Sequence, residues 1–86
     1  MNDRKLLLSS DARLVEVILF LENEPLDVDR IARLSRLEPE SVHAALGELA
    51  ACWSSDMHGL ELVESTGTYC FAPAADLHDR LRDCYG

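Results

Sequence analysis

From Leu14 to Leu26 the chain reads Leu-Val-Glu-Val-Ile-Leu-Phe-Leu-Glu-Asn-Glu-Pro-Leu, an amphipathic pattern with more apolar positions than one face can use. At about 100° per residue, Leu14, Val17, Ile18 and Leu21 share one face, which is expected to anchor a first helix to a small core. Val15 and Leu19 fall well off that face, and Phe20 lies to its other side. A helix that is apolar most of the way round is either central in its domain or buried against something else as well. In an 86-residue chain the first option is hard to satisfy for every side chain, so this segment predicts function through contact with other protein.

The remaining elements follow from local signals. Residues 1–9 read as a tail, with Ser9 or Ser10 capping the first helix and Asn23-Glu24-Pro25 ending it, because the residue before proline is pushed out of the helical region. Asp27 is a suitable cap for a short second helix, with Ile31, Ala32 and Leu34 as its inward contacts and Ser35-Arg36-Leu37 as a tight turn. Pro39 suits a first helical position and Glu40 the first turn of a third helix, whose Val42, Ala45, Leu46, Leu49 and Trp53 form an inward stripe. The Ser54-Ser55-Asp56 and His58-Gly59 segment breaks it. The period then changes: Leu60–Glu64 and Thr68–Ala72 alternate around Ser65-Thr66-Gly67, a hairpin, and Asp76 to Cys84 can form a last helix carrying Leu77 and Leu81. Three helices, the second and third joined by a tight turn, followed by a hairpin, predict a mainly α, α+β fold: a single winged helix-turn-helix domain over residues 10–86.

Charge narrows what such a domain does. Sixteen acidic residues oppose eight basic ones, a net charge of −8, and no cationic cluster exceeds Arg4-Lys5. DNA affinity rests largely on cations that displace counterions from phosphates. The predicted outward face of the third helix, Glu40, His43, Ala44, Gly47, Glu48 and Ala51, offers no Arg, Lys, Asn or Gln to base edges, and the wing tip carries no cation. Arg30, Arg33 and Arg36 could touch a phosphate or simply balance nearby acids. Sequence-specific nucleic-acid binding is not expected, and a winged-helix transcriptional regulator stands as the alternative. Ala44, Gly47 and Ala51 form a strip without bulk, which reads either as room for a partner backbone or as drift at solvent positions.

Chemistry finds little support. His43, His58 and His78 are scattered, no His pair has metal-ligand spacing, and Cys52, Cys70 and Cys84 form an odd set without CxxC spacing, as reduced thiols would. Cys52 and Cys70 read as core or near-core residues, and His58 as exposed. Zinc- or redox-sensing by the cysteines is a weaker third option. The four glycines are isolated, so no phosphate loop exists. No enzyme activity, metal or cofactor is expected, and Leu6-Leu7-Leu8 is too short for a signal peptide or membrane span. The expected contact residues are instead Val15, Leu19 and Phe20, with Leu6 to Leu8 alongside and Tyr69 and Phe71 as a second patch if they point outward.

The run Glu16-Val17-Ile18-Leu19-Phe20 followed by Glu24-Pro25-Leu26 resembles the opening of bacterial segregation and condensation protein B, where an E-A-I-L-F helix precedes a G-E-P-L turn. The resemblance continues through Ile31-Ala32, Leu37, Val42, Ala45-Leu46 and Leu49. It resumes at Gly59-Leu60-Glu61-Leu62-Val63-Glu64, close to the family's G-I-E-L-V-E strand, and at Gly67 and Tyr69. It implies a non-catalytic subunit of the SMC–kleisin complex that acts in chromosome condensation and segregation. Such a subunit forms a homodimer through this domain, binds the kleisin (segregation and condensation protein A) and through it SMC, and works in the cytoplasm at the nucleoid. The family carries two such domains in tandem where this chain has one, so it is expected to be a fragment, a one-domain member or a divergent relative; Asn23 replaces the usual small residue before Glu-Pro.

Overall fold

A computed structural model describes residues 7–54 and 57–86. Helix α1 spans Ser10–Glu22, strand β1 Leu26–Asp27, helix α2 Val28–Ser35, helix α3 Pro39–Cys52, strands β2 Leu60–Ser65 and β3 Thr68–Pro73, and helix α4 His78–Tyr85 after a 3-10 turn at Ala75–Leu77.

Each helix ends for a local reason. Ser9 Oγ accepts the Ala12 N–H at 3.1 Å to cap α1, and Asn23 closes it at φ 53°, a left-handed conformation that Asn tolerates. Asp27 Oδ1 accepts the Arg30 N–H at 2.8 Å to cap α2, whose far end turns at Arg36, φ 63°. Ser35, the buried polar residue at this turn, donates to the Ala32 carbonyl and accepts the Leu37 N–H. Pro39 opens α3, where its missing N–H is harmless.

The three strands form an antiparallel sheet in the order β1-β3-β2. Ser65 pairs with Thr68 across a two-residue turn, Thr66 and Gly67, both at positive φ (48° and 83°), which matches the strand twist. Leu26 and Asp27 pair with Tyr69 and Thr68, adding a short third strand that lacks any alternating signature in the sequence. The C-terminal segment, expected as one helix, divides at Leu77, and α4 buries no residue.

The core is Ala12, Val15 and Leu19 of α1, Leu26, Ile31, and Val42, Ala45, Leu46 and Leu49 of α3. Trp53, Leu62, Tyr69 and Phe71 pack against it, half-buried, which joins the hairpin to the helices. This arrangement is the winged helix-turn-helix, and the α3 stripe lies where its spacing places it.

The expected inward face of α1 is corrected. Val15 and Leu19 are core residues, 0% and 2% exposed, while Leu14 and Val17 are 41% and 48% exposed and Leu21 69%. The i, i+3, i+7 set Ala12, Val15 and Leu19 faces inward, and the opposite stripe faces out. Leu34 of α2 is likewise exposed, not inward. Leu6, and Ser55-Asp56 of the expected break, lie outside the described residues.

A candidate protein-interaction surface

Two apolar stripes share the thirteen residues of α1. The inner stripe is occupied by this chain's own α2 and α3. The outer one, Leu14, Val17 and Leu21, has Phe20 beside it, 72% exposed. One such residue at a surface is ordinary; four on one helix form a contiguous patch of the kind that marks an interaction site.

The patch continues onto the sheet. A groove of about 600 Å³ runs between the end of α1, the Asn23-Glu24-Pro25 turn and the hairpin, with Phe20, Leu21, Leu60 and Phe71 on its walls. A neighbouring recess lined by Glu16, Val17, Phe20 and Trp53 shares Leu60 and Phe71 with it. Its floor is fixed from below. Trp53 Nε1 donates to Glu16 at 2.7 Å, and the Trp53 ring meets Phe71 at 5.1 Å and His58 at 4.5 Å between centroids.

The expected contact residues therefore divide. Phe20 stands on the patch. Val15 and Leu19 are corrected to core, although Leu19 reaches the groove wall. Tyr69 and Phe71 do not project outward as a second patch, since both pack on the core, but Phe71 lines the α1 groove and Tyr69 a separate cleft against α3. Leu8 is half-buried against the core. Ala44, Gly47 and Ala51 are exposed along α3. A Cβ on Gly47 would meet nothing within 4 Å, so the chain's own packing gives no reason for a residue that costs a helix up to about 1 kcal/mol relative to Ala. The sequence pattern missed Leu14, Val17, Leu21 and Leu60 as surface. The available signal was Ala12, whose spacing to Val15 and Leu19 completes the inner stripe.

The electrostatics are acidic. Glu40 is exposed on α3, and Glu48 accepts both the Ser9 N–H (2.8 Å) and its hydroxyl (2.7 Å), bonds that hold the Glu48 carboxyl below its ordinary value. Arg30 sits 3.9 Å from Glu22, and Arg33 and Arg36 are exposed. Among the described residues no three His, Cys, Asp or Glu side chains converge to hold a metal ion, and no helix is long and apolar enough to cross a membrane.

The class defined here is a winged helix whose exposed surface is apolar on α1 and acidic on α3. Residues 13–86 match the family described as segregation and condensation complex subunit ScpB, and the chain belongs to that family. Its fold is similar to a crystal structure of a dimer of the ScpB N-terminal domain complexed with ScpA peptide, with a TM-score of 0.76 and 23% identity over 85% of this chain and 91% of that one. It is equally similar, at 0.76, to ScpB from Mycobacterium tuberculosis, 16% identical over 99% of this chain; the chain spans 50% of that protein. No curated protein matches it.

Proposed function

We propose that this protein is a non-catalytic subunit of an SMC–kleisin complex in the bacterial cytoplasm, acting in chromosome condensation and segregation. It self-associates through the outer face of α1 and binds a segment of the ScpA kleisin, which connects it to SMC. One observation carries this reading: α1 keeps a second apolar stripe, Leu14, Val17 and Leu21 with Phe20, after the core has used the first. A dimer of the related N-terminal domain with an ScpA peptide supports both contacts, and the acidic α3 face and cation-free wing tip suit a protein partner better than DNA.

The test is a double substitution on the exposed stripe, Val17→Glu with Phe20→Glu. Light scattering over a range of concentrations is expected to read a dimer for the parent chain and a monomer for the variant, with circular dichroism unchanged. Calorimetric titration with peptides covering the kleisin of the same genome is expected to give saturable binding. A parent chain that stays monomeric at high concentration and binds no kleisin peptide overturns the reading.

A further inference from the structure

Strand β2 is an edge of the sheet, tied to the end of α3 at one point of its outer side. Leu62 donates its N–H to the Trp53 carbonyl at 3.0 Å, so the polar backbone groups of Leu62 face away from β3. In an antiparallel ladder these groups alternate sides along the strand. Val63 and Ser65 therefore bond β3 opposite Cys70 and Thr68, whereas Glu64 turns its N–H and C=O outward. Among the described residues neither group has a backbone partner.

Beside this edge lies a cleft of about 270 Å³ with His43, Leu46, Gly47 and Ala50 of α3 on one side, Leu62 and Tyr69 on the other, and exposed Glu64 at its margin. The side chain missing from Gly47 widens it, and nothing in the chain fills that space. The ion pairs among the described residues are Arg30–Glu22 and Arg82–Asp79, so neither Glu64 nor Glu40 is paired within 4 Å, by His43 of the cleft or by any Lys or Arg described.

We propose that the β2 edge and this cleft take an extended segment of another protein as an added strand, with a Lys or Arg against Glu64 and an apolar side chain beside Gly47. Main-chain bonds to an exposed edge supply affinity in this mode, and pockets for alternate side chains supply selectivity. Charge argues against a second copy as the occupant, because pairing β2 with β2 brings the carboxylates of Glu61 and Glu64 together in a chain of net charge −8. The site is separate from the α1 patch and does not depend on self-association.

The probe is a capped octapeptide repeating lysine-threonine-valine-threonine, which sets lysine and valine in turn on one face of a strand, titrated into the isotopically labelled chain and followed by amide exchange and chemical shift. The Glu64 amide is expected to become protected and the Gly47 amide to shift, while Phe20 and Leu21 stay unmoved. Glu64→Gln is expected to weaken binding about tenfold, as loss of a charge-assisted contact does, and Gly47→Leu to block it with the fold intact by circular dichroism. The proposal is overturned by absence of saturable binding, by equal affinity in both variants, by equal binding of the same octapeptide with glutamate in place of lysine, or by shifts centred on Phe20.

Discussion

Trp53 donates its indole N–H to Glu16, thirty-seven residues earlier in the chain, at 2.7 Å. The bond ties the end of α3 to the middle of α1 and sets the ring that supports Phe71 and the hairpin. Glu16→Ala leaves a half-buried N–H without its acceptor and is expected to cost about 1–3 kcal/mol, with Glu16→Gln costing less. Urea unfolding followed by the fluorescence of Trp53, the single tryptophan, measures both.

Leu19 and Phe20 are adjacent in sequence and opposite in role, at 2% and 72% exposure. Leu19→Ala is expected to destabilise the fold by about 2–5 kcal/mol. Phe20→Ala is expected to stay within about 0.5 kcal/mol of the parent when both are monomeric. Denaturation at low protein concentration separates the two, and similar losses at both positions would contradict the assignment of faces.

Glu48 links acidity to stability. The Ser9 bonds lower its folded pKa below the ordinary value of 4.5, so its contribution is complete above that value and is lost as pH falls through the depressed one. Thermal melts across the acid range are expected to show this loss in the parent and a shallower one in Glu48→Gln and Ser9→Ala. Equal acid profiles would remove the link.

Arg36 holds φ 63° to end α2, with its N–H on the Ala32 carbonyl at 2.8 Å. A left-handed conformation is unfavourable for a side chain with a Cβ and natural to glycine. Arg36→Gly is expected to stabilise the domain by up to about 1 kcal/mol, visible as a higher melting temperature.

Much of this was legible in residues with a strong local signature. Asp27, Pro39 and the Val42–Leu49 stripe act through neighbours three or four positions away, and each lies where that spacing puts it. Gly67 and Thr66 likewise form the turn between alternating strands. The orientation of α1 was marked only by Ala12, because the helix carries two apolar stripes and periodicity alone does not rank them; packing against α2 and α3, from elsewhere in the chain, decides between them. Two-residue β1 has no period of its own and exists only because Tyr69 and Thr68 pass beside it. The grooves escaped for the same reason, since Phe20, Leu60 and Phe71 come together only in three dimensions.

Because the inner and outer stripes of α1 lie back to back on one rod about 10 Å across, a pull on Phe20 reaches Leu19 and Val15 without passing through any loop. On the proposed interface, tension from a partner is expected to pass straight into the centre of the domain. The joint has no soft element at this point to stretch first, so under load grip and fold are expected to yield together.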